Sequence, residues 1–252
     1  MRRILLTRQD NSAVAEHFKG GDFEILELPL IECIHNVDES EASDVFGELG
    51  GYDWLVFSSP NAVRGFFKAF FREFNDIRAL GIARIACIGD ATVRELSKFY
   101  LRADVVPEVQ TAAALAEAMG EYETLENLKI LSVRGNLALP DLIKALEAQR
   151  AIVDVFEVYK TNLVALKSDD AVVVDFRKKG ADAVVFASPS AVESFVRNLD
   201  AIVLEKDALR PKVVAIGSTT ADAAKKKGMK VSAVSESPRP EDIAAAVKSL
   251  FD

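Results

Sequence analysis

VFSSPNAV, at residues 56–63, decides the fold, because it returns as VFASPSAV at residues 185–192 with six of eight positions identical. Each copy passes from an apolar run through small hydroxyl residues into a proline and then into helical periodicity, which predicts a strand, a tight turn and a helix. Ser59 and Ser188 stand where the N-cap belongs, and the proline after each takes the first helical position, where a missing N–H costs nothing.

A helix N-terminus has about four unpaired N–H groups and roughly half a positive charge. Two such ends facing one cleft would bind a ligand with several carboxylates or phosphates. The alternative is that Ser-Pro only starts an ordinary helix in each copy. Repetition within one chain weakens this alternative.

Three further pairs of segments repeat in the same order at nearly constant offsets. Residues 3–8 (RILLTR) return as 129–134 (KILSVR), 85–93 (IACIGDATV) as 213–221 (VVAIGSTTA), and 105–119 (VVPEVQTAAALAEAM) as 233–247 (AVSESPRPEDIAAAV). The chain therefore reads as a duplicated α/β unit. Alternating strands and helices predict parallel sheets, whose ligands bind beyond the carboxyl ends of the strands.

Apolar periodicity and capping residues predict the individual elements of the first half. We expect strands at 3–8, 24–34 (containing Pro29), 53–58, 85–88 and 105–106, and helices at 12–19 (capped by Asn11), 62–71, 91–99 and 112–119 (capped by Thr111). The apolar segments 25–34 and 152–161 exceed the usual strand length of about five or six residues. They either pair as a ladder between two domains or are ordinary long strands.

Composition and charge exclude several classes of function. The 252 residues are 50 % hydrophobic and 28 % charged with a net charge of −8, so a nucleic-acid partner is not expected. The first eight residues lead directly into a strand without a signal peptide, and no apolar run approaches the roughly 20 residues of a membrane span, which predicts a cytoplasmic protein with no membrane partner. Neither a G-x-G-x-x-G nor a G-x-x-x-x-G-K-[ST] motif supports a nucleotide cofactor.

Cysteine, histidine and phenylalanine predict no special chemistry. Cys33 and Cys87 lie in apolar segments and read as small buried side chains. His17 and His35 have no partner at ligand spacing, so no metal site is predicted. A run of phenylalanines at helical spacing predicts a stripe facing the core; its members are Phe66, Phe67, Phe70, Phe71 and Phe74.

Over essentially its whole length the chain resembles the uroporphyrinogen-III synthase family. The motifs that carry the resemblance are FSSPNAV, FASPSAV, IGDAT, IGSTTA, VYKT (158–161) and SESPRPEDIAAAV (235–247). The resemblance implies two similar flavodoxin-like α/β domains with parallel sheets, one of residues 1–34 plus 162–252 and one of 38–157. A two-stranded β-ladder, about 25–37 and 152–161, would join them.

The resemblance also implies a reaction. Family members cyclise hydroxymethylbilane, a linear tetrapyrrole with eight carboxylates, to uroporphyrinogen III, inverting ring D and losing water. The hydroxyl leaves to give an azafulvene, and the last pyrrole attacks through its substituted carbon to give a spiro intermediate. The protein directs this cyclisation by positioning the substrate and excluding water. The family implies no cofactor, a monomer, and at most a transient contact with the preceding enzyme of the pathway.

Tyr159, in VYKT, matches the family's tyrosine and is the candidate catalytic acid, although it could instead be a strand tyrosine packed locally. Arginines at strand ends and hydroxyl or amide groups at helix starts are candidate carboxylate ligands, with intramolecular ion pairs and simple capping as the alternatives. These substrate-binding candidates are Arg8, Ser58, Ser59, Asn61, Thr92, Arg134, Ser188, Thr219 and Thr220. Asp90 departs from the pattern, because a carboxylate there would repel the substrate unless it points toward the helix amides.

Two other functions compete with the cyclase. A non-catalytic two-domain protein that binds a small anion would explain every candidate except Tyr159. A transferase acting on a nucleotide sugar would fit twin parallel-sheet domains, but it needs a diphosphate site and an acidic residue for the ribose, and the sequence offers neither convincingly.

Overall fold

The computed structural model describes residues 1–138 and 140–251 as two compact units. Unit 1 consists of Met1–Glu32 with Asn162–Asp252, and unit 2 of Cys33–Thr161. Each contains a five-stranded sheet, and the registered strand pairs of both sheets are parallel. The predicted α/β fold with parallel sheets is confirmed.

The elements follow one another as alternating strands and helices. The strands are β1 (Arg2–Leu6), β2 (Phe23–Glu27), β3 (Ile31–Ile34), β4 (Trp54–Phe57), β5 (Arg84–Cys87), β6 (Lys129–Gly135), β7 (Ile152–Leu163), β8 (Ala183–Phe186), β9 (Lys212–Ala215) and β10 (Val231–Val234). The α-helices are α1 (Ser12–Glu16), α2 (Glu39–Gly47), α3 (Pro60–Glu73), α4 (Asp90–Ser97), α5 (Ala112–Tyr122), α6 (Asp141–Glu147), α7 (Ala171–Lys179), α8 (Pro189–Arg197), α9 (Ser218–Lys226) and α10 (Pro240–Lys248). Short 3-10 helices cover Leu49–Gly51 and Ile77–Leu80.

The sheet of unit 1 has the order β10-β9-β8-β1-β2. Side chains of a strand alternate between the two faces. Accordingly Leu5 packs into one apolar cluster, while Ile4 and Leu6 pack into another. A sheet buried on both faces explains why these strands are almost continuously apolar.

The sheet of unit 2 has the order β3-β7-β6-β4-β5 and is likewise covered on both faces. Leu55 and Phe57 belong to one apolar cluster, and Trp54 and Val56 to the other. Helix α3 fills the first of these clusters with phenylalanine: Phe66, Phe67 and Phe70 are buried. The predicted core-facing stripe is therefore confirmed for these three, whereas Phe71 is 45 % exposed.

The predicted single strand at 24–34 is wrong. The segment forms β2 and β3, which belong to different sheets, and Pro29 lies in the break between them. Proline cannot donate to a strand ladder, so the pairing there is carried by its neighbours: the N–H groups of Leu28 and Leu30 donate to the carbonyls of Leu6 (2.9 Å) and Thr7 (3.2 Å).

Two local predictions need smaller corrections. Helix α1 ends at Glu16 rather than at residue 19, and although Asn11 is its N-cap, the Asn11 side chain donates to the Arg8 carbonyl instead of capping. Asp10 accepts from the Ser12 amide at 3.0 Å in its place. The strand predicted at 105–106 is reduced to one bridge, between Val105 and Ala86.

Candidate functional site

The candidate site of unit 2 is organised around Tyr159, near the end of β7. Its Oη lies 3.1 Å from Oγ of Ser59, the residue that caps α3 just after β4. Strand β6 lies between β7 and β4 in the sheet, so the tyrosine ring crosses β6 to reach the serine. The two groups come from segments 100 residues apart in the chain.

An irregularity in β7 aims Tyr159 at this contact. Arg134 of β6 pairs with Glu157, but Gly135 pairs with Tyr159, so Val158 is an extra residue on β7. In a regular strand Val158 and Tyr159 would face opposite sides of the sheet, and a bulge of this kind redirects the side chain that follows it. Val158 and Tyr159 accordingly both pack on the apolar cluster that α3 fills.

Gly135 provides the room that the ring needs. A Cβ atom on Gly135 would lie 2.4 Å from Cζ of Tyr159, far inside van der Waals contact. The next residue fixes the backbone: the Asn136 amide donates to the Tyr159 carbonyl (3.2 Å), and Asn136 Oδ1 accepts from the Thr161 amide (2.8 Å). The tyrosine is therefore held from both its backbone and its ring.

The phenol of Tyr159 is a proton donor at neutral pH. Burial raises the pKa of Tyr159 above its ordinary value of 10.0, and this effect outweighs the hydrogen bond with Ser59 and the positive charges of Arg134 and Arg64, which lower it. The hydroxyl consequently stays protonated while three groups that favour its anion stand close by.

His35 completes the surroundings of the phenol. Its ring centroid lies 5.9 Å from that of Tyr159. Burial lowers the pKa of His35, as do the charges of Arg64 and Lys68, against the opposing effect of a hydrogen bond to the Asn61 backbone. Its Nε2 is buried with no hydrogen-bond partner within residues 1–138 and 140–251. The imidazole is therefore neutral at pH 7.

The other predicted residues of unit 2 make hydrogen bonds within that unit. Ser58 Oγ donates to the Val133 carbonyl (3.2 Å), Asn61 Oδ1 accepts from Arg64 (2.6 Å), and Arg134 donates to the Ala138 carbonyl. Thr92 Oγ1 donates to the Ile88 carbonyl at 3.0 Å, and the residue is only 1 % exposed.

Asp90 stands at the start of α4, where a carboxylate favours the helix. It is exposed. The residue before it, Gly89, has φ +82°, a backbone conformation that residues with a side chain rarely adopt. The structure thus gives Asp90 the ordinary place of an acidic residue in a first helical turn.

The predicted residues Arg8, Ser188, Thr219 and Thr220 belong to unit 1. Ser188 caps α8 and lies 2.9 Å from Ser190 Oγ. Thr7 and Arg8 line a cavity of about 10 Å³ at the end of β1. Thr220 is buried and Thr219 exposed at the start of α9. All four tyrosines of the chain lie in residues 33–161, so phenol chemistry is confined to unit 2.

Sequence reasoning missed Gly135 and His35. Nothing in the local sequence marks Gly135, because its role follows from strand register; His35 lacks a partner at any regular spacing. Among the described residues, no three His, Cys, Asp or Glu side chains are grouped so as to hold a metal ion. Nor does any helix in that part of the chain have the length and apolarity to span a membrane.

Comparison with known proteins decides the family. The family model of uroporphyrinogen-III synthase HemD matches residues 12–245. The chain belongs to the uroporphyrinogen-III synthase HemD family. This confirms the resemblance seen in the motifs, and it does not favour the non-catalytic anion-binding alternative.

Individual members of the uroporphyrinogen-III synthase family are distant in sequence. The chain is 26 % identical over 234 residues to the porphyrin biosynthesis protein HemD of Ruminiclostridium josui, covering 90 % of this chain but 44 % of that longer protein. It is 28 % identical over 194 residues to the uroporphyrinogen-III synthase of Chlorobaculum parvum, covering 75 % and 76 % of the two chains. A crystal structure of a mutant uroporphyrinogen III synthase from Thermus thermophilus shares the fold, with a TM-score of 0.69 at 19 % identity over 99 % of this chain and 98 % of that one.

Proposed function

We propose that this protein is a uroporphyrinogen-III synthase, a hydro-lyase that cyclises hydroxymethylbilane with inversion of ring D and loss of water. Membership of the family supports the activity. The observation that carries the proposal in this chain is the protonated phenol of Tyr159 held beside Ser59 at the carboxyl end of a parallel sheet, the edge where such sheets bind ligands.

Tyr159 acts as the general acid. Its Oη–H proton passes to the hydroxyl of the substrate as the C–O bond breaks, so that water leaves, the pyrrole keeps its N–H and a cationic azafulvene forms. The phenolate that remains is stabilised by the Ser59 hydroxyl and by the nearby charges of Arg134 and Arg64. The last pyrrole attacks this cation through its substituted carbon to give the spiro intermediate, which reopens and recloses at the free carbon of that ring. The free carbon then loses its proton, which neutralises the cation, and the phenolate takes up this proton to restore the acid.

Groups beyond the carboxyl ends of the parallel strands bind the eight carboxylates of the substrate. Arginine offers bidentate pairing, and the helix starts offer free amides with hydroxyl or amide side chains beside them. The residues to which we assign this role are Arg8, Ser58, Asn61, Thr92, Arg134, Ser188, Thr219 and Thr220. Because Thr92 and Thr220 are buried, their part is to present the backbone amides that begin α4 and α9.

We further propose that the chain arose by duplication of one flavodoxin-like domain, giving a discontinuous domain of residues 1–34 plus 162–252 and an inserted one of 38–157. The ordered repeats support this, as does the position of the boundaries between units, which fall within β3 and β7, two neighbouring strands. Those strands are the proposed linker. The protein is proposed to be a cytoplasmic monomer without a cofactor that takes its labile substrate from the preceding enzyme by transient contact.

The proposal is tested by giving the purified protein freshly generated hydroxymethylbilane, oxidising the products and separating the uroporphyrin isomers. Uncatalysed closure gives type I, so heat-denatured protein supplies the background. Predominantly type III product supports the proposed function. Type I alone, formed at the background rate, would show that the chain is not a cyclase.

A further inference from the structure

Ser59 makes two polar contacts that serve different purposes. Its Oγ accepts a hydrogen bond from the Ala62 amide at 3.1 Å, which caps α3, and the same atom lies 3.1 Å from Tyr159 Oη. A serine hydroxyl has one proton to donate and two lone pairs to accept with. The capping bond uses a lone pair, so the proton of Ser59 is free for the phenol oxygen.

The direction of the second bond follows from the work proposed for Tyr159. If the phenol gives its own proton to the substrate, then it cannot also donate to Ser59, and Ser59 must be the donor. The Ala62 N–H that Ser59 accepts belongs to a helix start with about half a positive charge. A hydrogen bond accepted by a hydroxyl strengthens the one it donates, so Ser59 becomes a better donor.

We infer that Ser59 is a positioning residue for Tyr159. Ser59 holds the phenol by donating a hydrogen bond to its oxygen, and through this bond the positive potential at the N-terminus of α3 acts on the phenol. The inference rests on the proposed function and changes the role predicted for Ser59 from substrate ligand to partner of the acid. Its effect is greatest when the phenol loses its proton, because a donor stabilises a full negative charge more than a neutral oxygen.

Ser188 shows that capping alone does not require this contact. It follows β8, precedes Pro189 and caps α8 through the Ala191 amide at 3.1 Å, the same geometry as at Ser59. Its hydroxyl meets Ser190 Oγ rather than a phenol. The contact with Tyr159 is therefore specific to unit 2, and depends on the Val158 bulge and on Gly135.

The test compares Ser59→Ala with Thr111→Ala. Thr111 caps α5 in the same unit through the Ala114 amide (3.2 Å), so either substitution removes one cap. Only Ser59→Ala also removes the donor to Tyr159. We expect it to lower kcat for type III formation about 10- to 100-fold with little change in KM, since one donor to a developing oxyanion is typically worth at least that much. Thr111→Ala should leave kcat unchanged.

Two further measurements separate positioning from capping. Without the Ser59 donor the phenolate is less stable, so the pKa of Tyr159 rises and the alkaline limb of the kcat profile should move to higher pH. Ser59→Thr keeps the hydroxyl and should restore most of kcat. If Ser59→Ala folds poorly, then Ser59→Gly, which caps nearly as well as serine without a hydroxyl, replaces it.

The inference is overturned if Ser59→Ala matches Thr111→Ala in kcat and in its pH profile, or if Ser59→Thr is as impaired as Ser59→Ala. A wild-type protein that forms no type III product gives a different result: it contradicts the proposed function itself.

Discussion

At the scale of single residues, the site combines helix caps formed by near neighbours with one contact between distant parts of the chain. Ser59 and Ser188 cap their helices as the Ser-Pro pattern predicts, because a cap is decided within about four residues. The contact between Ser59 and Tyr159 spans 100 residues and depends on a bulge at Val158, which no sequence period reveals. The position of His35 beside Tyr159 could not be predicted for the same reason, since its neighbours come from other segments.

Cys87 gives a pH prediction at this scale. Burial raises the pKa of the Cys87 thiol from an ordinary value of 9.0 to about 12. Between these values the unfolded chain loses the proton and the folded chain keeps it, so stability that is fully present below pH 9 decreases as the pH rises toward 12. From pH 7 to pH 10 this group should remove about 1 kcal/mol from the free energy of unfolding.

Urea unfolding at pH 7 and pH 10 checks this expectation. Cys87→Ala should lose about 1 kcal/mol less than the wild-type protein between the two conditions. Leu96→Ala is the control, because Leu96 is also fully buried but has no titratable group. It should reduce the free energy of unfolding by the same amount at pH 7 and at pH 10. An identical pH dependence of Cys87→Ala and wild type would contradict the assignment.

At the scale of elements, apolar runs predicted most strands but not how they are divided. The run from 24 to 34 reads as one strand, because periodicity alone cannot distinguish a long strand from two short ones in different sheets. The proline inside it was the available signal, and the chain breaks there. The run from 152 has no proline and continues as the twelve-residue β7.

The pairing of β6 with β7 predicts the effect of a side chain at Gly135. Gly135→Ala places a methyl group against Cζ of Tyr159, so the ring must move away from Ser59. We expect kcat for type III formation to fall at least tenfold, since small misplacements of a catalytic group are costly. Overpacking should also cost about 1–3 kcal/mol in the free energy of unfolding.

Gly50→Ala is the matched control, because within residues 1–138 and 140–251 no atom outside its immediate neighbours lies within 4 Å of the position that a Cβ atom would take there. It should leave both activity and stability nearly unchanged. Wild-type turnover in Gly135→Ala would show that the position of the ring does not matter to the reaction.

At the scale of the whole molecule, the sequence was sufficient for the class of fold and for the parallel sheets, but not for strand order. Alternating strands and helices imply parallel pairing because the crossovers allow little else. The order β10-β9-β8-β1-β2 places Ile4 of the first strand beside Ala183, a pairing determined by apolar surfaces rather than by neighbours in sequence.

The phenylalanine cluster of unit 2 should dominate the stability of that unit. Phe66 is fully buried and contacts the rings of Phe46, Phe57 and Phe70, so Phe66→Ala should cost about 3–5 kcal/mol. Phe71→Ala, in the same helix but at a position 45 % exposed, should cost clearly less. Fluorescence of the single tryptophan, Trp54, reports the unfolding of unit 2. Equal losses in the two variants would contradict this account of the core.

The rate of type III formation by Tyr159→Phe tests directly whether the phenol of Tyr159 is the general acid. The substitution removes one hydroxyl and leaves the ring that packs against Gly135, so the protein should fold normally. We predict that kcat falls about 100-fold or more, the usual contribution of a general acid, while the spontaneous type I product increases at its expense. Turnover at the wild-type rate would contradict the role of Tyr159 as the acid, and would show that Tyr159 is a structural residue.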